Sequence, residues 1–388
     1  MPSQDEVLQR IRALSPLQRG KLEQALVDRG IDALDRCGGR IAEALQTAAS
    51  DAPTRAPVVA ADGPSLPVLI QAQKAGERLL DWIDGHRAWM DEALGASGGL
   101  LFRGFAVGGA AGVERCLEAA CGPTIPYAGI YQGIAVRRQV HGKIFTSTEF
   151  SSGLAINRHS ECSFAHCWPL RIGFYCTRPA ARDGRTPIAD TRRVLRRVDP
   201  GIRARFEKSG VMYVRNYGIG SAPAWQDVFG TRDRGEVERI CRRIGVDAEW
   251  VGKDRLRTRS VRPAVVRHPR SGEEVWFNHV NSAHVRSNNP ELAEALMKEF
   301  APEDLPRTCF YGDGTEIETA TLEAIRNAYQ RETIQFDWLS GDLLLLDNML
   351  TAHGRQPYTG EREVLVGMAA NVRRKSPESM ADRVVVGL

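Results

Sequence analysis

The amino-acid sequence predicts a mainly β fold with α insertions, arranged as a two-sheet jelly roll with helices packed outside it. Short apolar or alternating runs, typical of strands, recur through most of the chain, and helical patterns interrupt them. A doubly wound nucleotide-binding fold is not expected, because no Gly-x-Gly-x-x-Gly follows an expected strand. The strand-like runs lie at 98–105, 172–177, 264–268, 275–278, 342–347 and 364–369, and the helical patterns near 234–244, 290–300 and 320–331.

The first 47 residues are expected to form a small N-terminal helical appendage. Apolar residues recur at helical spacing from Leu8 onward, and Ser15 before Pro16 is a typical helix start. Such a unit is too short to bury much core alone, so it is expected to dock. Docking on the chain's own catalytic domain and docking on another protein both remain open.

The remaining boundaries follow from composition. Residues 48–67 are rich in Ala, Pro, Asp and Gly and are expected to form a linker. A helical stretch at about 70–95 then opens the jelly-roll domain, which is expected to span residues 68–375. Residues 376–388 are left as a C-terminal tail.

Composition and charge argue against several classes of protein. The 388 residues include 52 Lys plus Arg and 48 Asp plus Glu, and a formal net charge of +4 is too weak to indicate nucleic-acid or membrane binding. The longest apolar runs, such as the leucines at 343–346, fall far short of the ~20 residues that cross a bilayer. The N-terminus is charged and lacks the apolar core of a signal peptide. We therefore expect a cytoplasmic globular protein with no nucleic-acid or membrane partner.

The eight cysteines do not indicate a disulfide framework. None belongs to a Cys-x-x-Cys pair, and small buried thiols in a reduced compartment are expected instead. Cys162 and Cys167 lie close together with His166 between them, so a zinc site is the alternative that this spacing leaves open.

The segment His159-Ser160-Glu161 carries the strongest chemical signal. In an extended strand, side chains at i and i+2 point to the same face, so His159 and Glu161 can reach one metal ion together. One imidazole and one carboxylate are two thirds of the 2-His-1-carboxylate triad of non-haem iron(II) oxygenases. His353, which follows the apolar run at 342–347, is the candidate third ligand. The alternative for each histidine is an ordinary hydrogen-bonded side chain.

Arg362 and Thr186 are candidates for binding an anion beside that metal. Arg362 lies at the start of an apolar strand, where a guanidinium can hold a carboxylate through two parallel hydrogen bonds. Thr186 can add a hydroxyl group to the same anion. A solvated surface charge is the alternative for Arg362, because most arginines are exposed.

Together these residues resemble the taurine dioxygenase family of iron(II)/2-oxoglutarate-dependent oxygenases, and among them most closely the syringomycin-type hydroxylases of nonribosomal peptide pathways. The matching stretches follow one another in the family's order across about residues 98–372. They lie at 145–150, 159–169, 184–190, 275–278, 311–314 and 347–355.

The resemblance implies a double-stranded β-helix, the cupin-like form of the jelly roll, that binds Fe(II), 2-oxoglutarate and dioxygen. It implies His159, Glu161 and His353 as iron ligands, with Thr186 and Arg362 on the far carboxylate of 2-oxoglutarate. Related halogenases lack the carboxylate ligand and bind chloride in its place, so the presence of Glu161 predicts hydroxylation of an unactivated carbon. Desaturation and further oxidation use the same triad and remain open.

The resemblance also implies the substrate class: an amino acid or amino-acid derivative, free or tethered to a carrier protein, in specialised-metabolite biosynthesis. Phe164, Trp168, Asn278 and Asn281 belong to stretches near the active site in the family and are candidate substrate-binding residues. An aromatic residue in a strand more often packs in the core. Arg215, Asn216 and Tyr217 are further candidates for contact with a substrate carboxylate.

The residues at 11–22 resemble the lead-in of peptide-synthetase condensation domains, so residues 1–47 are a candidate contact for a carrier protein or peptide synthetase. Two other functions stay open beside the enzyme. One is a noncatalytic assembly-line docking adaptor. The other is a zinc-binding jelly-roll module that uses His159, His353 and nearby cysteines, although a carboxylate ligand suits iron better than a thiolate-rich zinc site.

Overall fold

The computed structural model shows a sheet-rich chain with several helices, which confirms the mainly β class with α insertions. The expected appendage at 1–47, nearly all of the linker at 48–67 and most of the tail at 376–388 lie outside the described residues. Those boundaries therefore stay predictions. The structure describes residues 66–127, 137–220, 222–287, 289–374 and 384–386.

The largest sheet is antiparallel except at one edge, where its first two strands in the chain run parallel. In order across the sheet, the strands are β1 (Val68–Gln71), β2 (Gly99–Arg103), β17 (Leu343–Asp347), β7 (Cys167–Arg178), β20 (Glu363–Arg374), β5 (Ile144–Thr146) and β4 (Gln139–His141). Two further strands, β3 (Thr124–Ile125) and β21 (Val384–Val386), both pair with β20.

Two four-stranded sheets and two short hairpins complete the β structure of the described residues. The second sheet contains β16 (Thr333–Ile334), β9 (Ile188–Asp190), β18 (Thr351–Arg355) and β6 (Ile156–His159). The third sheet contains β11 (Asp247–Val251), β12 (Arg255–Arg262), β10 (Val211–Tyr217) and β15 (Arg307–Tyr311). The hairpins pair β13 (Val265–Arg267) with β14 (Glu274–Trp276) and β8 (Arg182–Asp183) with β19 (Tyr358–Thr359).

The helices expected near 234–244, 290–300 and 320–331 are all observed, and the one expected at about 70–95 begins later, at Leu79. Its first residues form β1 instead, because Val68–Gln71 alternates between half-buried and exposed positions and pairs with β2. The helices are α1 (Leu79–Ser97), α2 (Gly109–Cys121), α3 (Thr191–Arg197), α4 (Pro200–Ser209), α5 (Trp225–Phe229), α6 (Arg234–Arg243), α7 (Val280–Ala283), α8 (Pro290–Glu299) and α9 (Thr319–Arg331), with 3₁₀ turns at Val285–Ser287 and Pro302–Asp304.

The four consecutive leucines of β17 are apolar because both faces of this strand are covered. Leu343 and Leu345 pack in a cluster with α1 and α2. Leu344 and Leu346 point the other way, into a cluster that also contains Ile188 of the second sheet. A continuous apolar run is the pattern expected of a strand without a solvent-facing side.

Two glycines allow α2 to approach the largest sheet closely. Gly173 of β7 and Gly367 of β20 are direct cross-strand partners. A Cβ atom at Gly367 would lie 2.4 Å from the Cδ1 methyl carbon of Leu117. A Cβ atom at Gly173 would lie 2.6 Å from the Cδ2 methyl carbon of the same residue. The side chain of Leu117 therefore fills the space that two missing side chains leave on the sheet.

The third sheet packs against the second through one apolar cluster. The cluster joins Ala189 and Ala352 of the second sheet to Tyr213 of β10 and Cys309 of β15. This packing turns one face of β10 and β15 toward the ends of β6 and β18. The two strands β6 and β18 carry the predicted metal-binding histidines.

We expect Gly367→Ala to lower the free energy of unfolding by about 1–3 kcal/mol, because the new methyl group overpacks the Leu117 contact. Gly95→Ala is the matched control, since a methyl group in this helical position meets no atom within 4 Å. That substitution should raise the free energy of unfolding by about 0.4–1 kcal/mol. Urea unfolding of both variants measures the difference, and equal effects would contradict the packing described here.

Candidate active site

Two imidazoles and one carboxylate converge at the end of the second sheet. His353 of β18 is the direct cross-strand partner of His159 of β6, and the centroids of the two rings lie 4.7 Å apart. Glu161 Oε2 lies 3.9 Å from His159 Nε2 and 4.0 Å from His353 Nε2. One ligand atom from each residue can be chosen so that all three lie within 4.8 Å of one another. The structure thus brings together the three residues that the sequence selects.

Glu161 reaches this position from a turn, not from a strand as the i/i+2 pattern predicts. Strand β6 ends at His159, and the chain turns through residue Cys162, which has a φ of 59°. This left-handed conformation is uncommon for a residue with a side chain and persists where the surroundings enforce it. The expectation of an extended strand through Glu161 is therefore wrong, although the two side chains do meet.

Asn348 is the side chain that holds the Glu161 turn. Its Oδ1 accepts a hydrogen bond from the backbone amide of Glu161 at 2.7 Å. Its Nδ2 donates to the carbonyl oxygens of Glu161 at 2.9 Å and of Pro169 at 2.8 Å. All of these groups are buried, so the amide of Asn348 satisfies backbone atoms that would otherwise lack partners.

Asp347 anchors the turn that carries Asn348. It is fully buried, it forms ion pairs with Arg171 and with His268, and it accepts hydrogen bonds from the backbone amides of Met349 and Leu350. Burial alone would raise the pKa of Asp347. The charge of Arg171 and the hydrogen bond from His268 outweigh burial and hold this pKa at about 2. The carboxylate is therefore ionised at neutral pH.

Both histidines of the cluster are expected to be neutral. Burial lowers the pKa of His159, and it holds the pKa of His353 well below the ordinary value, with the neighbouring His159 acting in the same direction. His159 Nδ1 lies 2.8 Å from the carbonyl oxygen of Asn157, which leaves Nε2 directed at Glu161. His353 Nδ1 is buried and has no hydrogen-bond partner among the described residues. Neutral imidazoles beside a carboxylate are the donor set that suits Fe(II).

Arg137 is a residue of this cluster that the sequence reasoning missed. Its Nη2 donates to Glu161 Oε2 at 2.9 Å, and the side chain is only 4% exposed. The guanidinium also lies over the ring of Tyr127, 4.6 Å from its centroid. Arg137 precedes the short strand β4 and belongs to no matching stretch, so no pattern in the sequence could have identified it.

Thr186 and Arg362 lie on neighbouring parts of the chain beside the second sheet. Arg362 Nε donates to the carbonyl oxygen of Gly184 at 3.0 Å, and Thr186 Oγ1 accepts a hydrogen bond from Trp338 Nε1 at 3.0 Å. Arg362 has no acidic partner among the described residues, and burial, together with the charge of Arg355, lowers its pKa to about 10. A half-buried cation without an acidic partner is suited to an anionic ligand.

Among the predicted substrate-binding residues, Phe164 is connected to the cluster through the ring of His279. The centroid of its ring lies 5.1 Å from that of His279, which in turn lies 5.1 Å from that of His159. Phe164 also lines a small cleft beside His279, with Arg215 on the far side; we call this the arginine cleft. Its lining includes Phe164, Tyr213, Arg215, His279, Arg307 and Thr308.

The other three predicted substrate-binding residues have structural contacts. Trp168 is 1% exposed and packs on Phe277, with ring centroids 5.2 Å apart. Asn278 and Asn281 are buried, and each donates to a backbone carbonyl oxygen at 3.0 Å. None of the three lines the arginine cleft, and their role in substrate binding stays an untested prediction.

Comparison with known proteins agrees with this geometry. The sequence profile described as the taurine catabolism dioxygenase TauD, TfdA family matches residues 63–369. The chain belongs to this family. It is therefore a non-haem iron dioxygenase that depends on Fe(II), 2-oxoglutarate and dioxygen, as the sequence predicts.

Two relatives of the TauD, TfdA family extend along most of the chain. The dapdiamide synthesis protein DdaC of Enterobacter agglomerans is 34% identical over 290 residues, which cover 75% of this chain and 87% of the relative. A clavaminate synthase-like protein of Arabidopsis thaliana is 28% identical over 300 residues, covering 74% and 86%. Among solved structures, PvcB of Pseudomonas aeruginosa aligns with a TM-score of 0.46 and 16% identity, covering 83% of this chain and 93% of PvcB.

No helix within the described residues is both long enough and apolar enough to span a membrane. This finding agrees with the absence of long apolar runs from the sequence.

We expect Asn348→Asp to destabilise the protein despite its equal size. A carboxylate oxygen would take the place of the NH₂ group that donates to two buried carbonyl oxygens, and this oxygen cannot donate. The free energy of unfolding should therefore fall by about 2–4 kcal/mol. Asn289→Asp is the matched control, because Asn289 caps α8 through its Oδ1 alone and is exposed. Aspartate caps a helix as well as asparagine, so the control should change stability by less than about 0.5 kcal/mol. Urea unfolding distinguishes the two variants.

Proposed function

We propose that this dioxygenase hydroxylates an unactivated carbon of an amino acid or amino-acid derivative, with iron held by His159, Glu161 and His353. The observation that carries the proposal is the convergence of the half-buried imidazole of His159, the buried imidazole of His353 and the buried carboxylate of Glu161 on one point. Two imidazoles and one carboxylate leave coordination positions for small ligands, which a closed four-ligand zinc site would not.

Two of the three proposed ligand residues are positioned by hydrogen bonds away from the metal. The Asn157 carbonyl fixes the ring of His159, and Asn348 fixes the peptide of Glu161. Such supporting contacts orient ligands and fix the tautomer of a metal-bound histidine. Iron, when bound with 2-oxoglutarate and dioxygen, would supply the oxidation itself: 2-oxoglutarate is converted to succinate and carbon dioxide. One oxygen atom of dioxygen enters succinate, and the other enters the substrate.

Thr186 and Arg362 are the proposed partners of the far carboxylate of 2-oxoglutarate. Arg362 is half-buried, lacks an acidic partner among the described residues and has a lowered pKa. The carboxylate of 2-oxoglutarate would compensate the desolvated charge of Arg362. Binding of the cosubstrate would therefore remove the free-energy cost of an uncompensated guanidinium in the free protein. Gly184, with a φ of 68°, lets the side chain of Arg362 pass within contact distance of its backbone.

Hydroxylation is favoured over halogenation because the ligand position that chloride would need belongs to Glu161. Arg137 pairs with Glu161 and thereby stabilises the ionised carboxylate in a buried site. Desaturation and further oxidation depend on where the substrate carbon lies, and they stay alternatives.

A role in specialised-metabolite biosynthesis is part of the proposal. The DdaC relative takes its name from dapdiamide synthesis, which supports a biosynthetic role and a small-molecule substrate. A carrier protein or peptide synthetase that contacts residues 1–47 remains a proposed partner. So does the division of the chain into this appendage, a linker at 48–67, an oxygenase domain at 68–375 and a tail.

We further propose that the largest and second sheets are the two walls of a double-stranded β-helix. The apolar cluster shared by Phe174 of the largest sheet and Ile188 of the second supports this arrangement. The ring of Phe174 also contacts the ring of His353, with centroids 4.9 Å apart. The proposed iron would then lie between the walls at one end.

Anaerobic addition of Fe(II) and 2-oxoglutarate to the full chain should produce a weak visible charge-transfer band. His159→Ala and His353→Ala should each abolish this band and substrate-dependent succinate formation, because each removes a metal ligand. His141→Ala, which replaces an exposed histidine, is the control and should leave the band unchanged. A band that survives in either of the first two variants would disprove the ligand assignment, and a noncatalytic adaptor or zinc module would give no band in the unmodified protein.

Arg362→Gln should raise the KM for 2-oxoglutarate by roughly 10- to 100-fold, the effect of losing a charged hydrogen-bond partner. The titration of the charge-transfer band with 2-oxoglutarate measures the same loss without turnover. Arg178→Gln is the control, because this arginine is 62% exposed and pairs only with the exposed Glu361. If Arg362→Gln and Arg178→Gln behave alike, Arg362 does not hold the cosubstrate.

A further inference from the structure

Two arginines face each other across neighbouring strands of the third sheet. Arg215 of β10 is the direct cross-strand partner of Arg307 of β15, so both side chains leave the same face of the sheet. Like charges at directly opposed positions destabilise a sheet. Neither arginine forms an ion pair or a side-chain hydrogen bond with any residue that the structure describes.

The neighbouring arginines of the same sheet are balanced. Arg257 forms ion pairs with Glu303 and Asp304, and Arg259 pairs with Glu249. The third sheet therefore has acidic partners within reach for these two cations. The lack of a counter-ion at the Arg215 and Arg307 pair is a local feature and does not reflect a shortage of acidic residues.

The unbalanced pair lies on the side of the sheet that faces the iron site. The guanidinium carbon of Arg215 lies 4.8 Å from the centroid of the Phe164 ring. Phe164 contacts His279, and His279 contacts His159, in two successive ring contacts of 5.1 Å. A short row of aromatic rings thus connects the arginine pair to the proposed metal ligands.

The arginine cleft itself contains no acidic side chain. Both arginines line it, with Tyr213 and Thr308 beside them. Arg215 is half-buried and Arg307 is exposed, so a ligand from solvent can reach the pair.

We propose that Arg215 and Arg307 bind a free carboxylate of the substrate and thereby direct the rest of the molecule along Phe164 and His279 toward the iron. This inference rests on the proposed function, because it takes the His159 cluster as the place of oxidation. A guanidinium pair is suited to a carboxylate held by several charged hydrogen bonds. A substrate that presents a free carboxylate here fits an untethered amino-acid derivative better than one whose acid is joined to a carrier protein.

Acetate and its neutral analogue acetamide are probes for this site, used on the full chain loaded anaerobically with Fe(II) and 2-oxoglutarate. Saturation-transfer NMR titrations should show saturable binding of acetate and none of acetamide. Arg215→Gln and Arg307→Gln should each weaken acetate binding at least about 10-fold, and the double variant should abolish it. Arg259→Gln, an arginine of the same sheet outside the cleft, is the matched control and should bind acetate unchanged.

Two further measurements separate ligand binding from a structural role. The Arg215→Lys/Arg307→Lys double variant keeps both charges and should retain most of the affinity for acetate. Arg215→Gln should melt at the same temperature as the unmodified protein or higher, because it removes a repulsion. A clear fall in melting temperature would identify Arg215 as a structural residue and overturn the proposal.

The remaining outcomes are equally decisive. Acetate binding that is absent, or that survives in the glutamine double variant, overturns the proposal. Inorganic phosphate that binds at the cleft where acetate does not would overturn the carboxylate assignment and indicate the phosphate of a carrier arm. The charge-transfer band with 2-oxoglutarate should persist in all cleft variants, so a missing band in the unmodified protein would disprove the proposed function separately.

Discussion

A single buried carboxylate holds the active site together. Asp347 is ionised in the interior because the charge of Arg171 compensates it, and because His268 and two backbone amides form hydrogen bonds with it. Removing one partner of such a buried pair typically costs about 3–5 kcal/mol, because the other charge is left uncompensated. The turn that Asp347 fixes carries Asn348, whose amide clamps the peptide of Glu161. The same turn leads directly into β18, which carries His353. The unit β17–turn–β18 therefore positions both His353 and the peptide of Glu161 in the proposed metal cluster.

The sequence predicts the chemical identity of the site better than its geometry. The pattern His-x-Glu and the apolar run before His353 are local signals that make His159, Glu161 and His353 candidates, and the resemblance to the family implies all three as iron ligands. The turn at Glu161 was not predictable, because it depends on Asn348, which is 187 positions away along the chain. A residue whose role depends only on a contact with a distant part of the chain has no recognisable pattern in the sequence around it. Arg137 is an example, since its importance lies entirely in its contact with Glu161.

The same distinction applies to the fold. Apolar runs and helical periodicity predicted the sheet-rich class and most helices, because burial on one or two faces leaves its mark on composition. The sequence predicts a helix already at the end of strand β1, because four residues are too few to show their period against the helix that follows. The register between two paired strands also cannot be predicted from the sequence pattern. The sequence makes Arg215 a candidate substrate contact but does not show that it pairs with Arg307. This pairing places two positive charges opposite each other.

The register of β6 against β18 has a consequence for how the chain tolerates change. Because strand side chains alternate between faces, displacing one of these strands by a single residue would turn His353 away from His159. Surface loops between the two strands, apart from the turns at Glu161 and at 347–350, can lengthen without changing this pairing. An insertion or deletion inside either short strand would separate the imidazoles while leaving the surrounding apolar packing largely able to form. Ability to take up metal is therefore a sensitive assay for correct strand alignment in variants that otherwise look folded.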